Sequence, residues 1–549
     1  MAALSYITLF SFIFMFVLSR RVALTFLISS VAVTSNCRKV NISGTVPADS
    51  TKLSVLSDTV AFKNMLGVNA FEWNFLQDPG NPNNGMQIYE PKMEIIKSFA
   101  GVRHYLDWEK IEPQRGKYTF NPTRNGGWNL DVIYQRSKAD GIDMLVCLKT
   151  CPPWLLESYP SNERDAENVP MPYGSNKADP QSYILQAKAA FQFAARYGRT
   201  KLTDLSQVSV DVTPRWTGDQ VNEVKTGLGL VKYIECDNER DKWWKGDKAY
   251  QKPEEYAANL SAFYDGNKGK LGKAVGVKTA DPNMLVVMAG LAKTDVAYVN
   301  AMINWCKANR GYKANGAVDL CFDVINFHLY SNDHLSNSNG NATNGIAPEL
   351  SEAGKVAADF VKLGNAYHLP VWVTEAGYDV NANSPQRAVR IGDKSELLTQ
   401  ADWNLRTALL YARYGIKKLF FYELYDDNIA NPTQYASSGF ITADLKRRPA
   451  ADYILQIKNL LGNYIYRETI SQNPLVDVYK AGSKIIYAMV SPSQEGKTSV
   501  YNLIVNGAKQ VIIHQPTVGA GNMSSREEKP VGNVLKVTVT ETPVFIELK

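Results

Sequence analysis

Ile234-Glu235-Cys236-Asp237-Asn238-Glu239-Arg240 and Val371-Trp372-Val373-Thr374-Glu375-Ala376-Gly377 decide how this chain is read. Each is a short apolar run of β type that leads to a glutamate, and the first sets an asparagine immediately before it. Side chains at a strand end are held by the sheet behind them and face the loops in front. Two carboxylates delivered this way meet over one ligand only if their strands belong to one closed sheet.

Outward from these runs, strand-like segments alternate with helical ones, the mark of parallel βα units. Strands are expected at 65–70, 101–105, 142–148, 231–237, 284–289, 322–330, 370–374 and 418–423. Helices are expected at 89–99, 130–140, 181–197, 254–271, 296–308, 349–367, 396–414 and 450–461. Eight such units predict an α/β fold, a (β/α)8 TIM barrel over residues 61–461, rather than an open doubly wound sheet. No Gly-rich phosphate loop follows the first strand, as an open nucleotide-binding sheet would require. Short alternating runs at 475–479, 484–490, 499–505, 510–514 and 534–548 then predict a C-terminal all-β sandwich over residues 462–549. Residues 331–345, rich in Asn, Ser and Gly, read as a loop on the strand-end face. The long segments 157–180 and 199–230 would shape the same face.

The chain has 549 residues, enough for two or three domains, and its 45% hydrophobic and 21% charged content is that of an ordinary globular protein. A net charge of +6 with no basic run interleaved with aromatics argues against a nucleic-acid partner. Residues 1–37 read as an export signal: an apolar stretch interrupted by Arg20-Arg21 and ending at Thr34-Ser35-Asn36-Cys37. Cys37 is placed as the lipidated cysteine of a lipoprotein signal would be, and residues 2–18 offer a membrane anchor as the alternative. The expected location is therefore periplasmic, on the outer membrane as a lipoprotein, or secreted. Residues 38–60 read as a linker that adds a strand to the β module or stays apart from it. The six cysteines lack metal-ligand spacing and are expected as buried thiols on strands.

A strand-end glutamate is usually solvated or ion-paired, and what gives Glu239 and Glu375 chemical meaning is their company. Cleaving a glycosidic bond takes one protonated carboxyl to expel the leaving sugar and one ionised carboxylate to attack the anomeric carbon. Asn238 is an uncharged donor suited to a sugar hydroxyl beside that bond. Arg103, on the second strand, would hold Glu375 ionised. His328 and Tyr330 share one face of the sixth strand by the period of two, and either is placed to orient Glu375. Asp237 would raise the pKa of Glu239 or, by alternation, point elsewhere. Trp73, Trp154, Trp243, Trp244 and Tyr425 are candidate stacking surfaces for sugar rings, with rim packing the competing role for Trp243-Trp244. Glu423 would bind a hydroxyl or form an ion pair. With 5 histidines and none paired at strand ends, no metal or organic cofactor is expected.

These residues resemble glycoside hydrolase clan A: Asn-Glu after strand four, Glu at the end of strand seven, Arg on strand two and His/Tyr on strand six. The stretch Trp108 to Phe120, of the form W-x-x-I-E-P-x-x-G-x-Y-x-F, recurs in several members. Glu235 and Phe420-Phe421-Tyr422-Glu423-Leu424-Tyr425-Asp426 bring the likeness nearest to family 39. The resemblance implies Glu239 as general acid/base, Glu375 as nucleophile and Asn238 as the 2-hydroxyl contact of an exported retaining enzyme acting on β-linked oligo- or polysaccharides. Many relatives read Glu-Val-Trp-Asn-Glu-Pro where this chain has Glu235-Cys236-Asp237-Asn238-Glu239-Arg240. The alternatives are an exported glycan-binding protein that keeps the barrel without turnover, and a barrel enzyme of other chemistry.

Overall fold

A computed structural model describes residues 60–82, 84–334, 341–505 and 507–549. The expected export signal and almost all of the linker lie outside the described residues. Eight parallel strands, β1 (Gly67–Ala70), β2 (Gly101–Asp107), β3 (Asp143–Lys149), β4 (Tyr233–Cys236), β5 (Leu285–Met288), β6 (Ile325–His328), β7 (Val371–Glu375) and β8 (Lys418–Phe421), form one sheet in the order 5-4-3-2-1-8-7-6. The bridges Val287↔Val324 and Leu291↔Phe327 join β5 to β6 and close the sheet into a barrel. Helices such as Ile184–Tyr197, Pro253–Asp265, Val296–Asn309, Ala353–Ala366, Glu396–Tyr414 and Pro449–Leu461 connect the strands. Their starts follow capping chemistry: Asn129, Asp295 and Ser395 each accept a first-turn N–H, and Pro253 and Pro449 open their helices.

The barrel interior is layered. Leu145, Tyr233, Val287, Val324, Trp372 and Phe420 make an apolar floor. Gly67 must be glycine there, because a Cβ would sit 2.4 Å from the Phe420 ring. Above the floor the inward side chains turn polar: Asn69, Arg103, Glu235, Asn326 and Thr374, all fully buried. Interior charge at that depth costs stability unless every atom is paired, so this layer serves the face above it.

The C-terminal module holds β9 (Ile465–Gln472), β10 (Leu475–Ala481), β11 (Lys484–Val490), β12 (Ser499–Ile504), β13 (Val511–Gln515), β14 (Ser524–Glu528), β15 (Val534–Val539) and β16 (Val544–Leu548). Six of them form an antiparallel sheet in the order 14-13-16-11-10-9, and β12 pairs with β15. Val476, Met489, Ile513 and Ile546 of the large sheet pack against Leu503, Leu535 and Val537 of the small one, which makes the expected sandwich. The other face joins the barrel's core through Tyr479, Ile486 and Phe545. A two-toothed ion pair, Arg413 to Asp477 at 2.7 Å, is buried in that contact.

Three expectations need correction. The run expected at 534–548 is two strands, broken at Thr540-Glu541-Thr542-Pro543. Strands β9 and β14 were not expected at all. Of the five described cysteines, all buried, only Cys147 and Cys236 lie on strands. Among the described residues no helix is long and apolar enough to cross a membrane.

Candidate active site

The end of β4 turns sharply. Asp237 and Glu239 adopt positive φ, 70° and 48°, a left-handed backbone that L residues other than glycine take at a cost of about 1–3 kcal/mol. The turn is held by Asp237, whose Oδ1 accepts the Asn238 N–H at 2.7 Å and whose Oδ2 pairs with Arg240 at 3.2 Å. Asp237 therefore points away from the site, the second of its two expected orientations. Arg240 is fully buried and also binds Gln251 at 2.7 Å and the Ala249 carbonyl at 2.8 Å. The two departures from the Trp and Pro of related motifs are thus each other's partners. Asp241, which the sequence did not single out, ties the same turn to the β5 loop by accepting the N–H groups of Ala292 at 3.0 Å and Lys293 at 2.8 Å. Burial pushes its carboxyl up to about 6, against those two donors.

Glu375 ends β7 beside a register shift: Phe327 pairs with Val373, and His328 pairs with Glu375, so Thr374 is the extra residue. Such bulges re-aim side chains next to active sites. Here Thr374 binds His328 Nε2 at 2.9 Å while Glu375 still faces the mouth. Glu375 is well buried. One carboxylate oxygen accepts from Arg103 at 2.9 Å and from the Tyr105 hydroxyl, the other from Tyr330 at 2.8 Å. Burial alone would raise this carboxyl, but the charges of His328 and Arg103 and the two phenol donors outweigh it and hold Glu375 below the ordinary carboxylate range.

His328 stands between the two glutamates, with Nδ1 2.8 Å from Glu239 and 3.6 Å from Glu375. Burial would lower its pKa, yet the Glu375 charge and the Glu239 hydrogen bond raise it above the usual imidazole value. Of the two residues expected to orient Glu375, Tyr330 bonds it directly, and His328 lies nearer to Glu239. Gly290 makes room for the imidazole, since a Cβ there would lie 2.0 Å from His328 Nε2. One carboxylate oxygen from each glutamate and a ring nitrogen of His328 all lie within 4.8 Å of one another. The same trio could hold a metal ion, although His328 Nδ1 is already hydrogen-bonded to Glu239.

Arg103 is the hub beneath. Its guanidinium reaches Glu235 at 2.6 and 3.1 Å, Asn69 at 3.0 Å, Tyr105 at 2.7 Å and Asn238 at 2.8 Å besides Glu375. Because Asn238 Oδ1 is taken by Arg103, its amide N–H groups are what remain for a ligand. Asn69, Tyr105, Glu235, Asn326 and Thr374 complete the network, and none of them was among the site candidates read from the sequence. The rule that linked His328 to Tyr330 also links Arg103 to Tyr105 and Asn326 to His328, two residues apart on one strand.

The other candidates lie around the mouth. Among the described residues Glu423 makes no ion pair and its Oε1 is buried without a partner; burial pushes its carboxyl well above the usual range, and Asp427 and Asp426 add to this. Trp154 is half-buried, edge-on to Trp108, and its indole N–H is used by the Glu112 carbonyl at 2.9 Å. Glu112 accepts from Trp108 at 2.5 Å and from the Gly116 N–H at 2.7 Å, so the Trp108 to Phe120 stretch is a self-bonded loop under the rim. Trp243 and Trp244 meet edge to face and are 57% and 51% exposed, too open for rim packing alone. Trp73 and Tyr425 line a cleft of about 750 Å³ between the β1 and β8 loops.

A family 39 glycoside hydrolase from the gut symbiont Bacteroides cellulosilyticus WH2 superposes with a TM-score of 0.59 over 90% of this chain and 82% of its own, at 17% identity. The likeness is one of fold, an eight-stranded parallel barrel followed by an all-β module. A GH51 arabinofuranosidase from Xanthomonas axonopodis pv. citri (TM-score 0.52, 11% identity, 89% and 97% covered) and a GH30 endoxylanase from Clostridium papyrosolvens C71 (0.50, 10%, 89% and 97%) share the architecture. No protein-family model and no curated protein matches the sequence.

Proposed function

We propose that this protein is an exported retaining glycoside hydrolase of clan A, nearest to family 39, that cleaves β-linked sugars by double displacement. Glu375 attacks the anomeric carbon while protonated Glu239 donates to the leaving oxygen. Glu239 then activates water to release the sugar. The observation that carries this reading is the pair of carboxylates from β7 and the β4 turn with oxygens within 4.8 Å of each other. That spacing is of the order of the ~5–5.5 Å of retaining enzymes and leaves too little room for the water of an inverting one.

The surroundings fit the division of labour. A nucleophile must be ionised, and Arg103, Tyr105, Tyr330 and His328 all favour the charged form of Glu375. Asn238 offers its amide N–H groups to a 2-hydroxyl, and the buried carboxyl of Glu423 suits another hydroxyl. Trp243, largely exposed, and Trp154, half-buried after β3, supply aromatic surfaces suited to further sugars. Export rests on the apolar N-terminal stretch, which also offers the membrane attachment.

The test is Glu375→Gln. Screening the native protein on plant, algal and host glycans, with NMR of the first-formed anomer, should give a retained product. The variant should fold normally and lose turnover. Near-native turnover by Glu375→Gln would remove Glu375 from the mechanism, and an inverted anomer would remove double displacement.

A further inference from the structure

Cys306 lies in the last turn of the helix Val296–Asn309, and Cys321 lies on the segment that leads into β6. Both are fully buried, 15 residues apart in sequence, and their Sγ atoms are 3.5 Å apart. The described cysteines Cys147 and Cys151 instead donate to backbone carbonyls, of Asp237 at 3.4 Å and Asn168 at 3.2 Å. The two sulfurs are about 1.5 Å from the ~2.05 Å separation of a disulfide bond.

The position of the pair gives the bond a purpose. Every other neighbouring pair of barrel strands is joined by a laddered register, whereas β5 and β6 are joined by the isolated bridges Val287↔Val324 and Leu291↔Phe327 and by hydrogen bonds such as the Asn326 amide to the Met288 carbonyl at 3.2 Å. Strand β6 and its end bring Asn326, His328 and Tyr330 to the site. Cys321 is four residues before β6, and its thiol also touches the Ala257 carbonyl of the helix Pro253–Asp265 at 3.6 Å. A bond from Cys321 to Cys306 would tie the approach of β6 to the helix that follows β5.

We propose that Cys306 and Cys321 form a disulfide, made by exchange with a disulfide oxidant while the chain folds, that clasps the β5–β6 seam of the barrel. The thiolate of Cys306 attacks the oxidant's S–S bond and displaces one thiolate. The thiolate of Cys321 then attacks the Cys306 sulfur of the mixed disulfide and displaces the second. Two electrons pass to the oxidant, whose two sulfurs take up the two cysteine protons. Because both sulfurs are buried, exchange precedes closure of the seam, and the closed seam then shields the bond from reductant.

The test uses the full chain folded in a glutathione redox buffer, denatured in acid, alkylated and mapped by peptide mass spectrometry. The expected result is one linked peptide holding Cys306 and Cys321, lighter by two hydrogens than the two thiol peptides, with Cys147, Cys151 and Cys236 alkylated. Unfolding in denaturant, followed by circular dichroism, should be roughly tenfold or more faster after reduction. The Cys306→Ala/Cys321→Ala variant should unfold at the reduced rate with or without reductant. Separate alkylation of both cysteines, or equal unfolding rates of the oxidised and reduced native chain, would overturn the proposal. None of these readouts depends on glycosidase activity.

Discussion

Arg103→Met probes the charge layer on which the site stands. The guanidinium bonds Glu235 at 2.6 and 3.1 Å and Glu375 at 2.9 Å, and the side-chain exposures of the two carboxylates are 0% and 8%. Methionine replaces most of the stem's volume but leaves two buried carboxylates without their shared cation. Glu375 keeps Tyr105, Tyr330 and His328. Among the described residues Glu235 keeps only neutral donors, the Gly290 N–H at 3.1 Å and the Asn326 amide at 3.0 Å. Removing one member of a buried ion pair costs about 3–5 kcal/mol, and here the cost falls mainly on Glu235. Adding Glu235→Gln removes the stranded charge, so the double variant should recover about half of the loss or more. The assay is guanidinium chloride unfolding of the native chain, Arg103→Met and Arg103→Met/Glu235→Gln, followed by tryptophan fluorescence at pH 7. A single variant within about 1 kcal/mol of native, or a double variant no more stable than the single, would refute the reasoning.

Two further predictions concern His328 and its neighbours. Gly290→Ala should push the imidazole off Thr374 and Glu239, because its Cβ would meet Nε2 at 2.0 Å. A displacement of about 1 Å can cost ~10²-fold, so kcat/KM on the substrate that screening finds should fall by that order with an unchanged circular dichroism spectrum. Activity within about twofold of native would contradict the role given to the ring position. Stability should also depend on pH in a defined sense. Glu375 has a lowered folded pKa, so its contribution is present above the unfolded value of ~4.3 and is lost as pH falls through the folded one. His328 has a raised folded pKa, so its contribution is full below ~6.5 and is lost as pH rises through the folded one. The stability advantage of the native chain over His328→Asn should therefore shrink on raising the pH past neutrality, and a constant or growing advantage would contradict the assignment.

The barrel was legible because each βα unit writes two periods into the sequence, and apolar runs such as 142–148 leave little choice. What the sequence hid has physical causes. The strands β9 and β14 are the two edges of the module's large sheet, where side chains such as Arg467, Glu468, Arg526 and Glu527 face solvent and no alternation is required. Glu239, Glu375, Asn238, His328 and Tyr330 were singled out because they stand at or just beyond strand ends, whereas Arg103, expected at the end of its strand, lies within β2 (Gly101–Asp107). Thr374 was not, since a strict period of two sends it away from the face that Glu375 occupies, and only the register shift returns both. Glu235 and Asn326 were hidden for another reason: polar groups inside a strand read as surface residues until Arg103 is placed between them.

The central claim is that Glu375 becomes covalently bound to the sugar. It is tested most directly by a mechanism-based glycosyl inhibitor with a fluorine at C2, matched to the active sugar, followed by peptide mass spectrometry of the labelled protein. The account predicts one sugar ester, on Glu375, absent from Glu375→Gln and formed slowly in Glu239→Gln unless the leaving group needs no acid. A label on any other residue, or full inactivation with Glu375 unmodified, would contradict it.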